Sequence, residues 1–341
     1  MGMVDLRDLG WDDSWGAALS RCPAPGTTPG RVALEDRQAF AVVTEDGECP
    51  ARVAGRLLQG RLTPDQLPKV GDWVAVTRRP GDTRAVIQEV LPRRTWLARK
   101  AAGRETTPQI LATNIDVVFV VQSLDATFNP RRLERFLVMA HEGGAQAVVL
   151  LNKADLTAPD DPRIAEAQAA AGVVPVHVVS ARTRRGMPEV RRHIAPGRTC
   201  VFAGTSGVGK SSLINRLYGE EIQATREVRE DDAKGRHATT WREMILLPGG
   251  GVVIDTPGMR EFHMWMADTG LEDAFPDIAS LALRCHFRAC SHTREARCAV
   301  RQALADGELD PGRFSSFQKL RGELESLARS RRQHTYVARR R

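Results

Sequence analysis

The chain has 341 residues, of which 42% are hydrophobic, and a formal net charge of +7 at pH 7. Its length predicts two or three domains, and its apolar content excludes an intrinsically disordered chain. The positive charge suits a polyanionic partner but is not specific for one, because moderately basic proteins are common.

No apolar run approaches the roughly 18 residues of a membrane span, so we expect no membrane partner. The N-terminal stretch carries aspartates from Asp5 to Asp13, where a secretory signal would be basic and then apolar. We therefore expect a cytoplasmic protein, in which the six cysteines do not form a disulfide framework.

The first predicted unit is an N-terminal extension, residues 1–30, which ends in a linker-like run of proline and glycine. Short β-rich runs separated by turn residues follow over residues 31–105. These runs are 39–43, 51–55, 72–76 and 85–90. They predict an all-β barrel of the five-stranded oligonucleotide-binding (OB) type. A generic small barrel without a nucleic-acid role is the alternative.

Residues 106–272 alternate apolar strands with helical stretches. The predicted strands are Asp116–Val121, Ala147–Leu151, Val176–Val179, Thr199–Ala203 and Val252–Asp255, with helices at about 130–142, 161–171, 187–194 and 210–218. This alternation predicts a central α/β unit with a mainly parallel sheet covered on both faces. Residues 241–247 and 252–254 read as a hairpin that joins the sheet.

A candidate guanine-binding motif, Asn152-Lys153-Ala154-Asp155, follows the second of these strands. The Asp155 carboxylate can accept the two N–H groups of guanine and would be left unpaired against adenine. Asn152 can meet the acceptor edge of guanine, and the stem of Lys153 can cover the ring. Ser180-Ala181, after the next strand, can add a backbone N–H. A plain helix N-cap is the alternative for Asp155.

A phosphate loop follows the fourth strand and precedes a helix pattern, which is the context that such a loop requires. Its residues are Gly204, Thr205, Ser206, Gly207, Val208, Gly209, Lys210 and Ser211, with Ser212 next. The glycines allow backbone N–H groups to converge on phosphate oxygens. Lys210 would act catalytically on the β- and γ-phosphates, and Ser211 would bind Mg²⁺.

A charged segment between Gly219 and Trp241 has the composition of a switch loop that orders around the γ-phosphate. Thr239 or Thr240 can supply a second hydroxyl ligand to Mg²⁺, and the sequence does not choose between them. His237 is the leading candidate to activate water, because imidazole can accept a proton. The alternative is a surface histidine without a role.

Asp255-Thr256-Pro257-Gly258 follows the last strand. Asp255 is placed to hold Mg²⁺, and the Gly258 N–H to sense the γ-phosphate. Many GTPases have a water-orienting glutamine after this glycine, but here Met259 stands there and cannot orient water. Either another group does so, or hydrolysis is slow until a partner helps.

A cysteine cluster opens the last predicted unit, residues 273–341. Its spacing is C-x4-C-x-H-x5-C, formed by Cys285, Cys290, His292 and Cys298. Three thiolates and one imidazole suit one closed, structural Zn²⁺ site. Unligated cysteines are the alternative, and His286 is a competing but poorer ligand. A helix-prone tail with arginines follows.

The order of these motifs is unusual, because the base-reading motif precedes the phosphate loop. The same combination resembles the circularly permuted GTPases, and within them the ribosome small-subunit-dependent GTPase A family. The resemblance covers most of the chain from Arg31. It rests on the motifs above and on the runs 70–76, 112–116, 128–129, 133–137 and 235–237.

This resemblance implies an OB barrel, a permuted GTPase core and a C-terminal zinc domain. It also implies GTP hydrolysis to GDP and phosphate, stimulated by the small ribosomal subunit, and a role in late maturation of that subunit through its rRNA. His237 would by analogy help to activate water. Ala238 departs from the family, which usually has threonine there. Residues 1–30 lie outside the best-matching region.

Two other interpretations of the function compete with that of a GTP phosphohydrolase. In one, the chain is an RNA-binding module whose GTP site is only a binding switch; in the other, it is a P-loop kinase, for which no acceptor site is visible. We expect a monomer. Since the segment after Gly258 leads into the zinc cluster, we also expect the nucleotide state to reposition the zinc domain relative to the barrel.

Overall fold

The computed structural model describes residues 3–36, 39–59, 63–79, 81–100, 108–219, 242–255 and 270–338. Among these residues, the helices include none that is both long and apolar enough to cross a membrane.

The N-terminal extension folds against the rest of the protein. It contains a 3-10 helix, Leu6–Leu9, and helix α1 (Asp13–Leu19), which Asp12 caps by accepting hydrogen bonds from two backbone N–H groups of its first turn. Leu6, Leu9 and Trp15 are buried in the main core. The predicted linker is wrong at Thr28–Gly30, because strand β1 already begins there and pairs with β4.

Five strands of the described residues close into the predicted barrel. They are β1 (Thr28–Asp36), β2 (Ala39–Thr44), β3 (Gly47–Val53), β4 (Trp73–Thr77) and β5 (Ala85–Val90), and a short helix α2 (Gly55–Gln59) follows β3. Their order is β1-β2-β3-β5-β4, and antiparallel pairing of β1 with β4 closes the ring. Alternate side chains such as Val32, Val42 and Ile87 fill the interior.

A two-stranded hairpin connects the barrel to the central sheet. It pairs β6 (Trp96–Lys100) with β7 (Pro108–Thr113), and the sequence analysis predicted neither strand. The predicted domain boundary at residues 105–106 falls between them, outside the described residues, and stays a prediction.

The central sheet is mainly parallel, as predicted. Its parallel strands are β8 (Val117–Ser123), β9 (Gln146–Asn152), β10 (Val176–Val178), β11 (Thr199–Ala203) and β13 (Val252–Asp255). They lie in the order β10-β9-β8-β11-β13, and β12 (Arg242–Leu246) completes the predicted hairpin by antiparallel pairing with β13. Most residues of β8, β9, β11 and β13 are buried, because helices cover both faces of the sheet there.

Four helices alternate with these strands within the described part of the central unit. They are α3 (Pro130–Glu142), α4 (Pro162–Ala171), α5 (Met187–Arg192) and α6 (Lys210–Tyr218). Helix α3 packs on one face of the sheet with Val118 and Val120, whereas α5 and α6 pack on the other with Phe119 and Val121. The strand ends that carry the predicted motifs therefore meet at one edge.

The edge strand β12 also pairs with the barrel. Leu34 lies opposite Glu243 and Glu35 opposite Arg242 in an antiparallel ladder between β1 and β12. Barrel and central sheet thus form one continuous sheet of eleven described strands. Periodicity could not predict this pairing, because it joins residues far apart in the chain.

The C-terminal unit is helical, as predicted. Its described helices are α7 (Gly270–Ala274), α8 (Pro276–Ala282), α9 (Ala299–Ala305) and α10 (Pro311–Ala338). Phe275, Ile278 and Phe317 join the same core as α3, so these helices cover the face of the sheet opposite α5 and α6.

A buried arginine fastens the barrel to the central sheet. The Arg31 side chain donates to the carbonyls of Leu9, Gly71 and Asn114, and also to the Thr199 hydroxyl at 2.7 Å. Its guanidinium lies 5.3 Å from the centre of a tryptophan ring on β4. We call this cluster the barrel junction.

A second buried arginine fastens the C-terminal helices. Arg313 forms two hydrogen bonds to the Asp277 carboxylate, at 2.6 and 2.8 Å, and contacts the buried Glu134 of α3 at 3.3 Å. Arg131 and Ser316 also donate to Glu134. We call this cluster the helical junction.

Candidate functional site

The base motif lies where β9 ends. Asn152 is 2% exposed and donates through Nδ2 to the carbonyl of Val208 in the phosphate loop, at 2.8 Å. Its Oδ1 accepts the backbone N–H of Ala181 at 3.2 Å. One side chain therefore holds together three segments that are far apart in the chain. A Cβ on Gly209 would lie 2.2 Å from Asn152 Nδ2, so the loop needs glycine there.

The Asp155 carboxylate is oriented by its neighbour in the next loop. The Ser180 hydroxyl donates to Asp155 Oδ1 at 2.6 Å, and the Thr183 backbone N–H donates to Ser180 Oγ. The exposed Arg182 lies 3.9 Å from Asp155 Oδ2. Ser180 is fully buried, which fixes the carboxylate at the wall of the cavity described below.

The phosphate loop joins β11 to α6, as predicted. Gly204 has a φ of 156°, and a Cβ there would meet the Val121 carbonyl at 2.5 Å. Lys210 Nζ donates to the carbonyls of Gly204 and Thr205, both at 2.9 Å. Ser211 and Ser212 lie in the first turn of α6, where backbone N–H groups have no partner within the helix. This geometry favours an anion at the loop.

These parts surround one cavity of about 660 Å³, which is within the usual range for small-molecule sites. Its lining residues belong mainly to the base motif, the loop after β10 and helix α6. Besides Asn152, Lys153 and Asp155 they include Ala181, Ser212 and Arg216. Arg216 Nε donates to the Ala181 carbonyl at 2.9 Å, which holds the loop against the helix.

Asp255 is half-buried at the end of β13, the strand next to β11. This places the carboxylate and the phosphate loop at the ends of neighbouring parallel strands. Four other predicted site residues lie outside the described residues: His237, Thr239, Thr240 and Gly258. Their roles stay predictions.

Asp125 is a polar group of this site that no sequence motif predicted. It follows β8 and lies 2.9 Å from Lys153 Nζ. No motif marks it, and the available signal was only its position just after a buried strand beside the base-motif strand.

The four predicted metal ligands come together between α8 and α9. The ligand atoms of Cys285, Cys290, His292 and Cys298 all lie within 4.8 Å of one another. His292 Nδ1 is 3.6 and 3.4 Å from the sulfurs of Cys285 and Cys298, which are 3.8 Å apart. Zn–S bonds of about 2.3 Å in a tetrahedron require sulfurs about 3.8 Å apart, so this donor set fits zinc.

Local contacts favour the metal-binding form of His292 and fix the position of Cys298. Burial lowers the pKa of His292, which favours the neutral imidazole that a metal binds. Cys298 caps α9, and its sulfur accepts the backbone N–H of Arg301. The competing residue His286 is outside the group, and its ring contacts Phe287 instead.

A parallel sheet with a phosphate loop after β11 and an N-K-x-D motif after the earlier strand β9 defines the class of circularly permuted GTPases. Within that class, the RsgA GTPase family model matches residues 90–265, more than half of the chain. The chain belongs to this family.

Individual proteins agree with this placement. A relative from Opitutus terrae, named small ribosomal subunit biogenesis GTPase RsgA, is 44% identical over 96% of this chain and 91% of its own. The crystal structure of YjeQ from Thermotoga maritima superposes with a TM-score of 0.66 at 27% identity, covering 87% of this chain and 98% of that one. YloQ, described as a circularly permuted GTPase, gives 0.64 at 25% identity, covering 89% and 96%.

Proposed function

We propose that this protein hydrolyses GTP to GDP and phosphate under stimulation by the small ribosomal subunit, and acts in late maturation of that subunit. The observation that carries the proposal is the Asn152 side chain, which bonds both the phosphate loop and the Ser-Ala loop. This side chain connects the base-binding and phosphate-binding parts of the proposed guanine-nucleotide site, although their motifs stand in reversed order along the chain. The names of the relatives, which span nearly the whole chain, support the subunit as partner.

Base selection would rest on Asp155. Its carboxylate accepts the two N–H groups on the guanine edge, and the Ser180 hydroxyl holds it in place. Adenine offers no such pair of N–H groups and would leave the base-facing lone pairs of this carboxylate unsatisfied in a partly desolvated cavity, which is costly. The Ala181 N–H, which donates to Asn152 Oδ1 here, would be shared with the guanine carbonyl, and the Lys153 stem would cover the ring face.

Phosphate binding would use the loop and its lysine. Lys210, which contacts loop carbonyls here, would turn to the β- and γ-phosphates. Backbone N–H groups from Gly204 to Ser212 would donate hydrogen bonds to the phosphate oxygens. Ser211, Asp255 and either Thr239 or Thr240 would hold Mg²⁺. That ion neutralises charge that develops on the phosphates.

Water activation is assigned to His237, because Met259 occupies the position where many GTPases carry glutamine. Gly258 would sense the γ-phosphate. The Cys₃His group would hold one structural Zn²⁺, since a complete ligand set leaves no open position for catalysis.

The proposed architecture has four parts: the extension 1–30, the barrel 31–105, the GTPase unit 106–272 and the zinc unit 273–341. The barrel and the zinc unit would contact rRNA through phosphates and shape. We propose a monomeric, cytoplasmic protein without a membrane partner.

The decisive experiment measures GTP turnover with purified small subunits, with large subunits and with neither. We expect strong stimulation by small subunits alone. Equal rates in all three would contradict the subunit assignment and leave a GTP-dependent RNA-binding switch as the better account.

The role of His237 needs its own variant. His237→Ala should retain GTP binding and lose most subunit-stimulated turnover, because removal of a general base typically costs about 10²–10⁴-fold. Full stimulated turnover in that variant would exclude the catalytic role.

A further inference from the structure

The base-motif lysine needs an anchor to act on a nucleotide. Lys153 lines the cavity and has a left-handed backbone with a φ of 65°. A free lysine side chain samples many rotamers, and fixing it costs about 2 kcal/mol of conformational entropy. Its stem can therefore cover a ring efficiently only if its ammonium group is already held.

Asp125 supplies that anchor. Its Oδ2 accepts the Lys153 ammonium at 2.9 Å, and both side chains are about two-thirds buried or more, at 32% and 26% exposure. This pair is therefore more shielded from water than a typical surface ion pair, for which contributions are small.

The anchor is itself held rigidly. Asp125 Oδ1 accepts three hydrogen bonds, from the Thr127 backbone N–H at 2.9 Å, the Thr127 hydroxyl at 2.6 Å and the Ser123 hydroxyl at 2.9 Å. One carboxylate oxygen thus fixes the turn after β8, and the other faces the lysine. Burial alone would raise the pKa of Asp125, but the bonds from Thr127 and Lys153 outweigh it and hold the pKa well below its usual range.

The strand register places anchor and lysine side by side. Ser123 of β8 pairs with Asn152 of β9, and the Leu124 N–H donates to the Asn152 carbonyl at 2.8 Å. Lys153 directly follows Asn152, and Asp125 directly follows Leu124. The same pairing that aligns the sheet therefore sets the ion pair at the cavity wall.

We propose that Asp125 is a positioning residue that holds the Lys153 stem across the face of the bound purine ring and thereby slows nucleotide release. Asp125 is not among the residues that line the cavity, so it affects residence time without affecting the choice of base. The inference rests on the proposed GTP site.

The test measures release of fluorescent GDP from four proteins: wild type, Asp125→Asn, Lys153→Met and the double variant. Asn keeps the oxygen that accepts from Thr127 but loses the charge that holds the lysine. We expect Asp125→Asn to speed release about fivefold, which corresponds to about 1 kcal/mol, the upper end for a partly exposed ion pair. On the Lys153→Met background the same change should have almost no effect.

Base selectivity gives a second readout. GDP and inosine diphosphate differ at the guanine 2-amino group, which Asp155 would read. The ratio of their affinities should be the same in wild type and Asp125→Asn, although both affinities fall. Asp46→Asn breaks another ion pair, with Arg78 on the barrel at 3.3 Å, and should leave release unchanged.

Three outcomes would overturn the proposal. If Asp125→Asn speeds release equally with Lys153 and with Lys153→Met, Asp125 only shapes the turn. If it changes the ratio of GDP to inosine diphosphate affinity, it acts on Asp155. Unchanged release in a folded Asp125→Asn protein would show that the ion pair does not act. Failure of the wild-type protein to bind GDP would instead remove the proposed function itself, and the inference with it.

Discussion

The barrel and the C-terminal helices are attached to the central sheet by buried arginines with different partners. At the barrel junction, Arg31 contacts backbone carbonyls and one hydroxyl, and among the described residues it forms no ion pair. At the helical junction, Arg313 contacts the carboxylates of Glu134 and Asp277. Removing the arginine lowers the free energy of unfolding less where it leaves neutral acceptors behind than where it leaves a buried carboxylate. The two attachments should therefore respond differently to the same kind of change.

Metal removal should separate the two regions most strongly. Structural zinc contributes about 10–16 kcal/mol to the folding of isolated zinc-finger peptides, so the proposed centre should dominate the order of the segment between α8 and α9. With a chelator, amides of α9 should lose hydrogen-exchange protection while those of β1–β5 keep it.

Two controls accompany this experiment. Cys22, a cysteine outside the cluster, should tolerate change to alanine without loss of metal. Absence of zinc from natively purified protein, or equal loss of protection in the barrel, would contradict the expectation.

Arg313→Leu should be the more damaging of the two arginine changes. Glu134 is 1% exposed and would stay buried with Arg131 as its remaining cationic partner. Breaking a buried ion pair in this way costs about 3–5 kcal/mol, measurable by urea unfolding. Adding Glu134→Gln should recover part of the loss, and no recovery would argue against the buried charge as its cause.

Arg31→Leu should cost less, about 1–3 kcal/mol, because the groups left behind are neutral acceptors. The damage should be local: limited proteolysis should cut faster within residues 3–22, which Arg31 holds through the Leu9 carbonyl. Arg7→Leu, at an exposed position on the same segment, is the matched control. A larger loss of unfolding free energy than in Arg313→Leu would contradict the expected order of the two junctions.

Acid should produce the smallest effect of the series, and of the two junctions it should act on the helical one. Burial would raise the pKa of Asp277, but the hydrogen bonds from Arg313 outweigh it and hold the pKa below its usual range. A carboxyl with a depressed pKa stabilises the fold above its unfolded pKa of about 3.9, and this contribution is lost as the pH falls through the folded value. Amides at the start of α10 should therefore exchange faster below about pH 4.

Asp277→Asn should abolish that pH dependence and leave hydrogen exchange in the barrel unchanged. The effect is the weakest of the series because the Asp277 side chain is 41% exposed, so water screens the pair. The same acid response in wild type and variant would assign it to another group.

The elements of the central sheet were predictable because their signals are local. Continuous apolar runs predicted β8, β9 and β11, and the motifs at their ends met at one edge because parallel strands end together. Short runs and turns predicted β2 to β5 of the barrel, but not β1, whose pairing with β4 closes it. The cysteine spacing likewise predicted a group that the structure brings within bonding reach of one metal.

Non-local features could not be predicted in the same way. Arg31 follows a proline–glycine stretch typical of a linker, and arginines are mostly exposed, so nothing marked it as a buried residue. Asp125 lies in no motif and acts only through Lys153, which is distant in the chain. The pairing of β1 with β12 depends on how two folded units approach each other.

That last pairing restricts how the barrel can move against the sheet. Side chains alternate along a strand, so a slip of one residue between Leu34 and Glu243 would turn the inward side chains of β1 outward. The nearest slip that keeps the faces spans two residues, about 7 Å, and would break the hydrogen bonds of Arg31 to Asn114 and Thr199. Rotation about the common strand direction preserves the ladder. The ladder therefore allows twisting of the barrel about β12 but not sliding along it, and the bonds of Arg31 to Asn114 and Thr199 oppose the twist.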